Sequence, residues 1–224
     1  MGVFEFNLED LPRLRDGVRA FWQAERYRCF AELAANEQEG VTWARTALFR
    51  SSPVCIIAPH GGNMETGTSE CARALAGSDF SLYLFESLKA EGDWSLHIAS
   101  QRFDDPVCLQ MAQRSRLVVT VHGCLEPAEA VFIGGKAHAE RRLLLKELRQ
   151  EGFVVMRDRL LPGLERRNIC NLGTSGAGIQ LELSMGLRQH FSSSLHCASL
   201  QANSRPALLL RVLSDVLRSL CEKA

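Results

Sequence analysis

The sequence lacks a net charge and any long apolar run. Its 26 lysine and arginine residues balance its 26 aspartate and glutamate residues, so no overall field draws the chain to nucleic acid. No apolar stretch has the length that a bilayer-spanning helix needs. We therefore expect neither a nucleic-acid partner nor a membrane. The composition, 46% hydrophobic with 7 prolines, is typical of an ordinary globular protein and not of a disordered one.

Closely spaced cysteine pairs and a secretion signal are also missing. The eight cysteines include no Cys-x2-Cys pair, and several lie inside apolar runs. Disulfide frameworks are characteristic of short secreted chains, so we expect free thiols in a reducing compartment. The N-terminal segment MGVFEFNLEDLPRLRDG has no apolar core and predicts no signal peptide. These absences predict a protein that is cytoplasmic in the producing cell, with release on lysis as an open alternative.

Strand and helix patterns alternate along the chain and predict one α/β domain over residues 1–224, a length sufficient for a buried core. We expect an N-terminal helical segment over 1–50 and a C-terminal linker and helix over 192–224. Strands are predicted at Val54–Ala58, Leu82–Phe85, Leu96–Ala99, Leu117–Val121, Val131–Ile133, Phe153–Met156 and Ile179–Leu183. Helices are predicted at Leu11–Ala35, Thr68–Leu75, Pro106–Arg114, Ala137–Gln150 and Ala207–Cys221. Such interleaving predicts a mostly parallel or mixed sheet covered by helices on both faces.

A glycine-rich loop follows the first of these strands and carries His60 and Glu65. In open α/β sheets, ligands bind in the crevice beyond the carboxyl ends of the strands. Imidazole and carboxylate groups are standard zinc ligands, and Gly61 and Gly62 would let the backbone fold so that both side chains meet one ion. A turn with a surface His and Glu explains the same spacing equally well.

A second strand end supplies a third candidate ligand. The apolar run Leu117–Val121 ends at His122, so two imidazoles and one carboxylate are expected at strand ends. Three protein ligands leave a fourth position for water, whose pKa a zinc ion lowers to about 7. This set of His60, Glu65 and His122 predicts a hydrolytic metal site.

Glu182 lies among apolar residues in the predicted strand Ile179–Leu183. A buried carboxylate is costly unless it is paired or functional, and a general base that takes a proton from water and passes it to the leaving amine is one explanation. An exposed position on an edge strand is the other, and the alternation of Gln180, Glu182 and Ser184 alone slightly favours it. Glu70 is the alternative carboxylate ligand, and His97 is interpreted as a structural or outer-sphere group.

The chain also resembles the phage-type poly-γ-glutamate hydrolase family, which is similar in fold to the zinc carboxypeptidases. The resemblance runs from about Tyr27 to Phe191. It is carried by YRCFAELAANEQEGV (27–41), APHGGNMETGTSE (58–70), YLFES (83–87), LHIASQRFDDP (96–106), HGC (122–124), IGG (133–135), NICN (168–171) and GIQLELSMGLR (178–188).

This resemblance implies a carboxypeptidase-like α/β domain with one Zn²⁺ on His60, Glu65 and His122, and Glu182 as the catalytic carboxylate. It further implies endo-type cleavage of the γ-amide bonds of poly-γ-glutamate, and we expect a monomer.

The family pattern has Arg after NICN where this chain has Leu172, and Gly where it has Ser87. Without that arginine, Arg166, Arg167 and Arg188 become the candidates for binding substrate carboxylates, together with Asn171 of the NICN segment. Another amide substrate, or a non-catalytic phage accessory protein on the same scaffold, remain open alternatives.

Overall fold

A seven-stranded mixed sheet forms the centre of the fold. The computed structural model describes residues 25–157, 161–192, 201 and 204–222. Its strands are β1 Trp43–Leu48, β2 Val54–Gly62, β3 Ser81–Ser87, β4 Leu117–Gly123, β5 Val131–Gly134, β6 Val155–Arg157 and β7 Ile179–Leu183. They lie in the order β1-β3-β2-β4-β7-β5-β6.

Four central strands run in the same direction. β3, β2, β4 and β7 pair in parallel, β1 is antiparallel to β3, and β5 is antiparallel to β7 but parallel to β6. The carboxyl ends of β2, β4 and β7 therefore meet at one edge of the sheet, which is where ligands bind in such sheets.

Helices cover both faces of the sheet. They are α1 Phe30–Asn36, α2 Thr68–Ala76, α3 Pro106–Arg114, α4 His138–Gln150, α5 Met185–Ser192 and α6 Arg205–Cys221. One core lies between the sheet and residues of α2, α4, α5 and α6, and the other contains residues of α1 and α3. None of the described helices combines the length and apolar character needed to cross a bilayer.

The predicted α/β class, with one mixed sheet covered on both faces, is confirmed. Two local predictions are wrong. Leu96–Ala99 is buried but forms no strand, because its backbone makes turn hydrogen bonds and the Ile98 carbonyl bonds to the His60 ring. The segment 1–50 is not helical throughout, because residues 25–29 form no helix, the helix covers only Phe30–Asn36, and Trp43–Leu48 pairs with β3 as an edge strand. Residues 1–24 lie outside the described part, and one domain over 1–224 stays a prediction.

The buried carboxylate of Asp105 fixes the start of α3. One of its oxygens accepts the N–H groups of Val107 and Cys108, and the other accepts from the Arg45 guanidinium at 2.9 Å and the Tyr83 hydroxyl at 2.8 Å. The residue is fully buried. A single side chain thus caps a helix and joins it to β1 and β3.

We expect Asp105→Ala to lower the free energy of unfolding by about 2–3 kcal/mol, because it removes the cap and leaves buried donors without an acceptor. Urea denaturation measures this loss. Asp215→Ala, an exposed position on α6, is the matched control and should stay within about 0.5 kcal/mol of the parent. Equal stability of the two variants would contradict this role of Asp105.

Candidate metal centre

Three buried side chains meet at the carboxyl edge of the sheet. One ligand atom from each of His60, Glu65 and His122 lies within 4.8 Å of the other two. His60 lies near the end of β2, Glu65 follows in the next loop, and His122 lies near the end of β4. In the part of the chain that the structure describes, no second group of three such side chains comes as close.

The two glycines after His60 allow this convergence. The pairing of β2 with β3 shifts register between Ala58 and Gly61. A Cβ on Gly61 would lie 2.1 Å from the Ser69 hydroxyl, and Gly62 has a φ of +64°, so a side chain at either position would clash or be strained. The loop then closes with a hydrogen bond from Glu65 N–H to the His60 carbonyl.

The distances between the three ligand groups fit one small divalent ion. His60 Nδ1 lies 3.1 Å from His122 Nδ1 and 3.2 Å from Glu65 Oε1, and His122 Nδ1 lies 3.9 Å from Glu65 Oε2. Zinc bonds of about 2.0–2.1 Å at tetrahedral angles hold their ligand atoms about 3.3 Å apart. The arrangement therefore suits a single ion held by both Nδ1 atoms and the carboxylate.

The remaining polar atoms of the cluster have partners of their own. His60 Nε2 lies 2.9 Å from the Ile98 carbonyl, and His122 Nε2 lies 3.4 Å from Ser100 Oγ. Since a carbonyl only accepts, the contact with Ile98 requires a proton on His60 Nε2, and Nδ1 is then the ring nitrogen that can bind a metal ion. Glu65 Oε2 accepts the Gly123 N–H at 2.8 Å. Such outer hydrogen bonds orient metal ligands in known sites.

A third imidazole packs on the cluster. The ring of His97 lies 4.0 Å from that of His60, between centroids, and its Nδ1 lies 2.8 Å from a Glu25 carboxylate oxygen. Burial lowers the pKa of His97 well below its usual value, and the imidazoles of His60 and His122 lower it further. Burial, followed by the proximity of His60, does the same to the pKa of His122. Neutral imidazoles keep the lone pairs that a metal ion requires.

Glu182 lies directly beside His122. The two are Cα partners in the parallel pairing of β4 with β7, so their side chains project from the same face of the sheet. β7 lies between β4 and β5, and Glu182 is buried, which excludes the exposed edge-strand interpretation. Its Oε1 accepts a hydrogen bond of 3.0 Å from Gln180 Nε2.

Hydrogen bonds to two neighbouring groups hold the Gln180 side chain in place. Gln180 Nε2 also donates to the Leu161 carbonyl, and Gln180 Oε1 accepts from Asn168 Nδ2 at 2.9 Å. Gln180 was not among the predicted site residues, although the two-residue period of a strand puts it on the same face as Glu182. Ser100 was also missed, because it follows an irregular segment that no periodic pattern marks.

The four residues predicted to bind substrate lie in different surroundings. Arg166 and Arg167 are exposed in the loop before Asn168. Asn171 is buried, and its amide bonds four backbone groups, those of Gly163, Glu165, Lys136 and Gly178. Arg188 is also buried. Glu70, the alternative ligand, is not part of the three-residue cluster.

Comparisons with known proteins match the chain to one family. The sequence model of the Poly-gamma-glutamate hydrolase family matches residues 27–213. The UPF0714 protein YndL of Bacillus subtilis (strain 168) is 35% identical over 178 residues, which are 77% of this chain and 69% of YndL. The SPbeta prophage-derived protein YoqZ of the same organism is 34% identical over 78% of this chain and 64% of its own length.

Two solved structures share the fold. A zinc-free apo form of YndL superposes with a TM-score of 0.79 at 33% identity, covering 88% of this chain and 98% of that one. A bacteriophage poly-γ-glutamate hydrolase superposes with a TM-score of 0.82 over 90% of this chain and all of its own. At 22% identity, the second match shows only that the two proteins share a fold.

Proposed function

The chain belongs to the poly-γ-glutamate hydrolase family, and we propose that it cleaves γ-glutamyl amide bonds of poly-γ-glutamate with one Zn²⁺ ion. The observation that carries the proposal is the buried cluster of His60, Glu65 and His122, with Glu182 paired to His122 on the neighbouring strand. Two imidazoles and a carboxylate form a ligand set used by hydrolytic zinc enzymes.

The cluster would hold the ion through His60 Nδ1, His122 Nδ1 and the Glu65 carboxylate. A zinc ion bound there would polarise the scissile carbonyl and lower the pKa of water. The protein's part is to present three ligand atoms already in place, because the Ile98 carbonyl, Ser100 and the Gly123 N–H fix their orientation before the ion arrives.

Glu182 would act as the general base. Its side chain projects from the same face as His122, and the Gln180 N–H fixes the rotation of its carboxylate. From this position it would accept a proton from the attacking water at one carboxylate oxygen and deliver it to the amine that leaves.

The substrate proposal depends on charge. Poly-γ-glutamate carries a free carboxylate on every residue, and Arg166 and Arg167 are exposed just before Asn168, which contacts the Gln180 amide. Their guanidinium groups would bind these carboxylates. Leu172 stands where the family pattern has an arginine. It is uncharged and packs partly buried against the core on the α1 and α3 face.

Chain length of the polymer tests the proposal. Zinc-loaded protein incubated with poly-γ-glutamate should produce shorter chains on size-exclusion chromatography, while the α-linked polymer of glutamate should stay intact. Cleavage of the α-linked polymer at an equal rate would favour a peptidase of other specificity. Cleavage of neither would favour a non-catalytic protein on this scaffold and would contradict the proposal.

We expect Gln180→Met to lower kcat about tenfold or more, because it removes a hydrogen bond to a charged group that orients the base. Its zinc affinity should stay near that of the parent, since Gln180 bonds to none of the three proposed ligands. Initial rates on poly-γ-glutamate measure the effect. Gln110→Met, exposed on α3, is the control, and equal kcat in the two variants would contradict the orienting role.

A further inference from the structure

Arg188 joins the three chain segments that carry the proposed site. It lies on α5, and its guanidinium donates to three backbone carbonyls: Nη1 to Thr66 at 2.6 Å, Nη2 to Cys124 at 3.2 Å and Nε to Leu183 at 3.2 Å. Thr66 follows Glu65, Cys124 lies two residues after His122, and Leu183 follows Glu182. One planar side chain is thus bonded to the backbone next to two ligands and the base.

Two glycines, Gly67 and Gly123, leave the space that Arg188 occupies. A Cβ on Gly123 would lie 2.5 Å from Arg188 Cζ and Nε, and a Cβ on Gly67 would lie 2.6 Å from the Arg188 carbonyl oxygen. Gly123 is also the residue whose N–H bonds to Glu65. Only glycine at these two positions lets the backbone of both loops approach the arginine so closely.

The burial of this cation calls for an explanation. Arg188 is only 7% exposed, and no carboxylate of the described residues forms an ion pair with it. A buried charge without an opposite charge is costly, so packing alone does not account for an arginine here. Five N–H donors in a fixed plane can bond several carbonyls at once, which the single ammonium group of lysine cannot reproduce.

We propose that Arg188 is a positioning residue: it holds the loops after β2 and β4 and the end of β7 in one arrangement, so that His60, Glu65, His122 and Glu182 keep the geometry of a metal site. This inference rests on the proposed function, and it assigns Arg188 a role other than the substrate contact suggested by the sequence. The arginine acts through the backbone and touches neither metal nor substrate.

Zinc affinity tests the proposal without any substrate. The dissociation constant of Zn²⁺ is measured by competition with a chromogenic chelator for the parent, Arg188→Lys and Arg188→Ala, together with the melting temperature of each metal-free protein. We expect both variants to bind zinc about 10- to 100-fold more weakly, the range found when outer partners of metal ligands are lost. Because removal of a nearby cation would by itself favour Zn²⁺ binding, a loss of affinity reports position and not charge.

A control of similar stability separates positioning from general destabilisation. Leu148→Ala removes a buried side chain of α4 in the core on the opposite face from His122, and it should lower the melting temperature while leaving the zinc dissociation constant within about threefold. Guanidinium ion at millimolar concentration should restore part of the zinc affinity of Arg188→Ala and leave the parent unchanged. Arg188→Lys carries the test alone if Arg188→Ala does not fold.

Two results would overturn the inference. Parental zinc affinity in Arg188→Lys, with a raised KM for poly-γ-glutamate, would make the arginine a substrate contact. If Leu148→Ala and the Arg188 variants had the same melting temperature and lost zinc affinity equally, Arg188 would contribute only to the stability of the fold. Failure of the parent protein itself to bind zinc would instead contradict the proposed function.

Discussion

Glu182→Gln is expected to lower kcat on poly-γ-glutamate about 10²- to 10⁴-fold, the usual contribution of a general acid–base group. The substitution removes the negative charge and the ability to take a proton, and an amide oxygen can still accept the Gln180 N–H. Since Glu182 is not among the three clustered ligand residues, the variant should bind zinc as tightly as the parent. The loss should therefore appear in turnover and not in metal content.

Initial rates and bound zinc per protein, measured on the same preparation, check this expectation. Glu222→Gln changes an exposed carboxylate beyond the end of α6 and should match the parent in both. If Glu182→Gln turned over at the parental rate, Glu182 would not be the base. If its zinc content fell in step with its activity, Glu182 would belong to the metal site itself.

His122→Ala is expected to weaken zinc binding at least 100-fold. Two ligand side chains would remain, and loss of a direct ligand should cost at least as much as the 10- to 100-fold known for outer partners. At a zinc concentration 100 times the parental dissociation constant, binding stabilises the parent by about 2.7 kcal/mol. The same concentration would stabilise the variant by about 0.4 kcal/mol at most, because it would not exceed the dissociation constant of the variant.

Thermal unfolding with and without zinc measures this difference directly. His138→Ala, which removes an exposed imidazole at the start of α4, should keep the full zinc-dependent rise in melting temperature. An equal rise in His122→Ala would show that the stabilising ion binds elsewhere.

The metal cluster could be predicted because its two histidines lie at the ends of apolar strand patterns. The runs at β2 and β4 identify buried strands, and parallel strands bring their carboxyl ends to one edge of a sheet. That rule places His60 and His122 at the same edge, and the pairing of β2 with β4 makes them neighbours. The position of Glu182 could not be settled the same way, because a two-residue period does not say whether β7 lies at the edge or between β4 and β5.

The outer contacts lay beyond sequence analysis for another reason. The Ile98 carbonyl that bonds to His60 belongs to a segment whose alternation resembles a strand, yet all of Leu96–Ala99 is buried in irregular backbone. Arg188 looked like a substrate contact because a guanidinium is a general anion ligand. Its three carbonyl partners come from segments up to 122 residues away in the chain, and no local pattern encodes such contacts.

Anomalous diffraction at the zinc absorption edge, from crystals of the zinc-loaded protein, is the sharpest test of the proposed metal site. We expect one strong peak about 2.0–2.2 Å from His60 Nδ1, His122 Nδ1 and a carboxylate oxygen of Glu65. A peak bound by other side chains, with these three turned away from it, would rule out this site.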